Sequence, residues 1–166
     1  MLTKVLINAE EKNRYMKGII SLIKKADKEF VPPLSARDKN SDTKLKDCSN
    51  NNINDYVESI ISNNFIVVIN ECNKVIGFLS FYPRRVYDIE CNYISTIITD
   101  AKYRNQGAAK MLYSRIELLS NLPIVVRTWS TNEAHIALLN NMGYNYLEIK
   151  KDDRGKGIDT IYFIGG

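Results

Sequence analysis

A chain of 166 residues is the length of one domain, here read as 1–166, and is long enough to bury a core without help from disulfides or metal. Its 45% hydrophobic and 25% charged residues are those of an ordinary soluble globular protein, and the lack of any run of about 18 apolar residues excludes a membrane span. The formal charge of +4 comes from scattered basic residues, which predicts mild attraction to anions and no nucleic-acid partner.

The first residues, MLTKVLINAEEKNRY, contain neither an apolar h-region nor a small-residue cleavage site, so the expected location is cytoplasmic. Cys48, Cys72 and Cys91 are odd in number and never form C-x-x-C, which predicts buried apolar fillers rather than a redox or zinc site. His135 is the only histidine. That excludes a multi-histidine metal centre, no metal is expected, and one imidazole is left for general-base chemistry.

In chain order, residues 4–8 (KVLIN) read as a short strand. Ile19, Leu22, Ile23 and Ala26 recur at helical spacing and predict an amphipathic helix over 10–29. Pro32 and Pro33 end it, because proline lacks a donor and disfavours helix in its predecessor; a polar irregular segment follows, up to a second short helix over 53–62. FIVVI, the turn NECNK and VIGFLSFY predict a β-hairpin that Pro83 breaks. IECNYISTIIT, over 89–99, is a third long strand rich in β-branched residues.

Ala108, Leu112, Ile116 and Leu119 then share one face of a helix. IVVRTW is a short strand. STNEAHIALLNNMGY is a helix, with Ser130 and Glu133 spaced as a capping box, an apolar stripe of His135, Leu138, Leu139 and Met142, and Gly143 as its left-handed stop. YLEI and TIYFI, joined by KKDDRGKGID, predict a closing hairpin in which Gly155 and Gly157 serve the turn.

Between the third long strand and its helix lies YRNQGAAKML, residues 103–112. The first N–H groups of a helix have no intrahelical partner, and the aligned peptide dipoles make that end positive. If residues 104–109 form a tight turn, their N–H groups converge on one point, the small residues at 107–109 leave room for phosphate oxygens, and Arg104 adds a fixed charge. An ordinary loop entering a helix shares the pattern R-x-x-G-x-A. Its place after a long apolar strand and before an amphipathic helix favours the anion cradle.

These features resemble the GNAT superfamily of acetyl-coenzyme A dependent N-acetyltransferases. AKYRNQGAAKML is similar to that family's pyrophosphate loop and NEAHIALLNNMGY to its second signature, in the family's order and about 25 residues apart. The resemblance implies an α/β (α+β) fold with a mixed, mostly antiparallel sheet of about seven strands flanked by helices. It also implies transfer of an acetyl group from acetyl-coenzyme A to a primary amine, of a small molecule or a protein, by direct attack in a ternary complex. The enzyme is expected as a monomer or homodimer.

By the same resemblance, the backbone of Ile97, Ile98 and Thr99 pairs with the pantetheine arm. Arg104, Asn105, Gln106, Gly107, Ala108 and Ala109 hold the pyrophosphate, and Asn132 and Leu139 lie beside the pantetheine. The family's usual glutamate base falls here on Tyr93 or Cys91. Glu90, one residue off that parity, is the candidate base, with a water held by Tyr93 or Ser95 as the alternative. The family's usual tyrosine acid falls on Leu139, which cannot give a proton, so another tyrosine or solvent must serve the departing thiolate. The amine acceptor is implied to enter along FVPPLSARDK, residues 30–39, with Phe30, Tyr82 and Arg84 as lining. A sensor that binds acyl-coenzyme A without turnover is the alternative, motivated by Leu139 and the missing glutamate.

Overall fold

Asn8 starts the first helix: its side-chain oxygen accepts from the Glu11 N–H at 2.9 Å, while the Glu11 carboxylate accepts from the Ile7 N–H at 3.0 Å. This reciprocal pairing satisfies two donors that an uncapped helix would leave orphaned. The computed structural model describes residues 1–38, 41–45 and 52–166. In chain order the elements are β1 (Leu2–Leu6), α1 (Ala9–Ala26), β2 (Arg37–Asp38), β3 (Ser41–Leu45), α2 (Ile53–Ile60), β4 (Asn64–Ile69) and β5 (Val75–Val86). Then come β6 (Ile89–Thr99), α3 (Ala108–Glu117), β7 (Ile124–Trp129), α4 (Glu133–Asn141), β8 (Asn145–Lys150) and β9 (Thr160–Gly165).

Seven strands form one sheet in the order β1-β4-β5-β6-β7-β9-β8. Every neighbouring pair is antiparallel except β6 and β7. In β4 the side chains alternate between two buried faces. Phe65, Val67 and Ile69 pack with Ile19 and Ile23 of α1 and Tyr56 and Ile60 of α2, while Ile66 and Val68 pack with Leu112 and Ile116 of α3 and Leu139 of α4. A sheet covered on both faces needs no polar alternation, which is why FIVVI reads as continuously apolar.

The feature that positions the site is where β6 and β7 part. Their parallel pairing covers Asn92↔Ile124, Tyr93↔Val125 and Ile94↔Val126 and then stops, although both strands continue. From Ser95 to Thr99, β6 keeps its β5 neighbour and has an open edge on the other side. A bulge fixes what that edge presents: Ser80 faces Thr96 and Phe81 faces Ile94, so Ser95 is an extra residue on β6. The Asp100 N–H bonds the Ile76 carbonyl on the β5 side. Strand alternation therefore turns the main-chain groups of Ile97 and Thr99 toward the open edge.

Several sequence expectations are corrected here. Pro83 does not break its strand: β5 runs through it to Val86. β4 ends opposite Phe81, and the Asn92 N–H points away from β5 to the Pro123 carbonyl. The missing proline donor thus falls on the solvent side of an edge stretch, where it costs no ladder bond. Part of the expected irregular segment is the two-stranded β2-β3 sheet. Ser130 does not cap α4: its Oγ accepts from the Asp159 N–H at 3.0 Å and its own N–H bonds the Asp159 carbonyl, extending the β7-β9 ladder by one pair. Leu119 lies beyond the end of α3 and is exposed. Cys91 is buried as expected but Cys72 is exposed in the β4-β5 turn; Cys48, Lys39 and the expected asparagine-rich loop through Asn51 lie outside the described residues.

Candidate active site

A cleft of about 400 Å³ opens where β6 and β7 separate. One wall is β6 from Ile94 to Thr99; the opposite wall is Val126, Arg127 and Trp129 of β7 with Asn132, His135 and Leu138 around α4. Arg104, Asn105 and Gly107 to Lys110 close one end, and Phe30, Arg37 and Arg154 line the region toward the fork.

The end formed by the strand-to-helix turn is built for an anion. Asp100 accepts the Lys102 N–H at 3.0 Å, which orders the start of the turn and holds that carboxyl below its ordinary range. Asn105 and Gly107 then adopt φ of 59° and 85°. Left-handed residues placed this way gather successive N–H groups into a concavity. No side chain caps α3 at Gly107, and the first intrahelical bond runs from the Met111 N–H to the Gly107 carbonyl. The N–H groups of Ala108, Ala109 and Lys110 precede that bond, as the unsatisfied donors of a helix start do. Among the described residues, and leaving aside its own chain neighbours, nothing lies within 4 Å of where a Cβ on Gly107 would stand. Beside it, Arg104 donates to the Thr99 carbonyl at 3.4 Å and pairs with Glu29 at 2.5 Å.

Asn132 immediately precedes α4, and its carboxamide caps no helical N–H. His135 faces the cleft from α4, and its Nε2 lies 2.7 Å from the Tyr113 hydroxyl. Burial pushes its pKa down to about 4, so the ring is neutral at physiological pH. Burial also holds the Tyr113 phenol well above its ordinary value, so the two groups meet as a pair of neutral side chains.

The fork side is cationic and aromatic. The Arg37 guanidinium lies 5.3 Å from the Phe30 ring, Phe30 and Trp129 have centroids 5.4 Å apart, and the Arg154 guanidinium lies 5.4 Å from the Trp129 ring. Arg127, on β7 one residue past the last β6-β7 pair, places its guanidinium 5.8 Å from the Tyr93 ring.

Of the residues singled out in the sequence, the structure brings Ser95, Ile97, Ile98, Thr99, Arg104, Asn105, Gly107, Ala108, Ala109, Asn132, His135 and Phe30 to this one cleft. It does not bring the others to the cleft wall. The Gln106 side chain turns back to donate to the Lys102 carbonyl at 3.1 Å. Leu139 is fully buried in the core behind α4. Glu90 is exposed opposite Arg85, four residues up β6 from the first cleft residue, or roughly 13 Å along the strand. Tyr93 is fully buried with Cys91, Val125 and Tyr162, its hydroxyl without a hydrogen-bond partner among the described residues, and Tyr82 and Arg84 pack against its ring. Sequence reading missed Arg127, Trp129 and Arg154. Trp129, the single tryptophan, ends a strand and was the one local signal available.

The chain belongs to the acetyltransferase (GNAT) family, whose model matches residues 30–144. No curated protein sequence matches the chain. Its fold is shared with an acetyltransferase of the GNAT family from Bacillus cereus, at 19% identity over 99% of this chain and 97% of that chain, with a TM-score of 0.65. It is shared also with a ribosomal-protein-alanine N-acetyltransferase from Brucella melitensis, at 15% identity over 99% of each chain and a TM-score of 0.67. A candidate streptothricin acetyltransferase from Bacillus anthracis, in complex with acetyl coenzyme A, matches over 62% of this chain and 61% of that chain at 20% identity and a TM-score of 0.54. Among the described residues, no helix is long and apolar enough to cross a membrane, and no group of three or more His, Cys, Asp or Glu is placed to hold a metal.

Proposed function

We propose that this acetyltransferase is a single-domain cytoplasmic enzyme that moves an acetyl group from acetyl-coenzyme A to a primary amine by direct attack. One observation carries the reading: the open edge of β6 leads straight to the uncapped start of α3. An extended amide arm fits such an edge, because Ile97 and Thr99 offer main-chain partners there; a pyrophosphate fits the concavity at its end. The empty space around Gly107 admits phosphate oxygens to the backbone.

When bound, acetyl-coenzyme A supplies an activated thioester to an amine. The Ile97 N–H on the open edge is the donor in place for the carbonyl oxygen, where charge develops during attack. The amine proton goes to water in the cleft, at the Ser95 end of its β6 wall. Glu90 and the buried Tyr93 do not line the cleft, and His135, with a pKa of about 4, is too weak a base for an amine. Asn132 orients the amide arm. The thiolate leaves toward solvent, since a thiol with a pKa of about 8.5 needs little acid help.

Acetyl-coenzyme A at about a hundred times its dissociation constant should raise the unfolding free energy by about 2.7 kcal/mol. Absence of stabilisation in a thermal-shift series would sink the proposal. Stabilisation without thiol release across a broad amine panel would favour the sensor reading instead. The ion pair between Glu29 and Arg104 competes with the pyrophosphate for the guanidinium. Glu29→Gln should therefore tighten acetyl-coenzyme A binding about two- to fivefold by calorimetry, the scale of one exposed ion pair.

A further inference from the structure

Arg37 is 7% exposed and Arg154 is 9% exposed, and both line the cleft. Buried cations are costly unless a carboxylate or other anion compensates them. Among the described residues neither is in a direct ion pair, and the carboxylates that favour their charge, Asp27 for Arg37 and Asp153 for Arg154, rank last among the influences on them, behind burial. Arg37 Nε donates to the Pro32 carbonyl at 3.1 Å, and its Nη2 has no partner. Arg154 donates from Nη1 to the Val31 carbonyl at 2.6 Å and from Nε to the Thr160 hydroxyl at 3.0 Å. Both carboxylates direct their hydrogen bonds elsewhere: Asp27 accepts the Ser35 N–H and hydroxyl at 2.7 Å each, and Asp153 accepts the Thr160 hydroxyl at 2.7 Å.

These side chains are held in place. Adjacent main-chain carbonyls of Val31 and Pro32 grip the two guanidiniums, and each lies over an aromatic ring of the Phe30–Trp129 pair. Burial first, and then repulsion from Arg37 and Arg127, push Arg154 down to about 9, while burial brings Arg37 to about 10. Guanidiniums do not release their protons in proteins, so the stress is relieved by an anion brought in from outside.

Position says which molecule brings it. The cradle for the donor's pyrophosphate is the turn after Thr99, whereas the arginines stand over Phe30 and Trp129 with Arg127 as their charged neighbour, and neither belongs to that turn. They are therefore separate from the pyrophosphate grip and stand where an acceptor would meet the acyl end of the arm.

We propose that the amine acceptor carries an anionic group, carboxylate or phosphate, bound in the cleft by Arg37 and Arg154 with its aliphatic part against Phe30 and Trp129. This rests on the acetyltransferase reading above, and Arg37 and Arg154 act as specificity-determining residues with no part in the bond making. Each N–H bond to the anion is charge-assisted, and truncating one partner of such a bond costs about tenfold or more in affinity.

The test is calorimetric titration of the protein saturated with coenzyme A, which fills the pyrophosphate cradle. One arm uses primary amines bearing a carboxylate, the L-amino acids, against their carboxamides; the other uses O-phosphoethanolamine against ethanolamine. The expected result is binding of at least one anionic series at least about tenfold tighter than its neutral counterpart. Arg37→Gln and Arg154→Gln, made separately, should each remove that preference while leaving the dissociation constant for coenzyme A unchanged, which also reports that each variant is folded. Equal binding of the neutral amines, a preference that survives both substitutions, or no binding in either anionic arm would overturn the proposal. Failure of coenzyme A itself to bind would instead overturn the acetyltransferase reading.

Discussion

Gly107→Glu should weaken acetyl-coenzyme A binding more than about a hundredfold while the free protein stays folded. Gly107 sits at φ 85°, so any side chain there carries a left-handed backbone cost of about 1–2 kcal/mol, which the fold can absorb. No neighbour lies within 4 Å of the new Cβ, so no clash adds to that cost. A carboxylate at the start of α3 is even favourable for the helix, because it meets the positive end of the dipole. The same carboxylate stands at the concavity and repels the pyrophosphate, so the charge that partly offsets the folding cost is the one that opposes donor binding. Gly107→Ala, which carries the backbone cost without the charge, should fall between wild type and Gly107→Glu. Calorimetry that finds Gly107→Glu within about fivefold of wild type would show that the donor's phosphates sit elsewhere.

His135 should make the free protein lose stability as pH falls from neutral toward 4. Its folded pKa is pushed by burial from 6.5 to about 4. Between those values the unfolded chain binds a proton that the folded protein refuses, so stability decreases with falling pH across this window and levels off below it. At pH 4.5 this one group accounts for about 2–3 kcal/mol relative to pH 7.5. Urea unfolding of wild type and His135→Leu at both pH values isolates the effect, since carboxylate contributions are common to both proteins. Wild type should lose about 2–3 kcal/mol more than the variant on acidification. Equal losses would mean that the imidazole is reachable by protons in the folded state, and that its bond with Tyr113 is not maintained.

The amino-acid order determined by itself those features whose signals are local. The run 89–99, the glycine at 107 and the helical spacing that follows it lie within one short stretch, and a strand, a left-handed turn and an uncapped helix follow from backbone chemistry alone. Gly143 ends α4 at φ 81° for the same reason. Where two residues of one stretch competed for roles, local signals failed: Ser130 looked like a cap, but the facing backbone of Asp159 takes its bonds. Pro83 looked like a strand end, and only the early stop of β4 makes it harmless.

What the tertiary structure alone decided is the cleft's chemistry away from the donor. The extra residue at Ser95 changes which groups β6 turns to its open edge, and it becomes visible only once β5 is paired beside it. Glu90 pairs opposite Arg85 away from the cleft, and Tyr93 is buried with Cys91, Val125 and Tyr162. Arg154 and the Val31 carbonyl that grips it are 123 residues apart in sequence. No periodicity or spacing can announce that kind of meeting, because a buried charge is specified by what surrounds it in space, and its neighbours come from the segment after α1, the end of β7 and the β8-β9 turn.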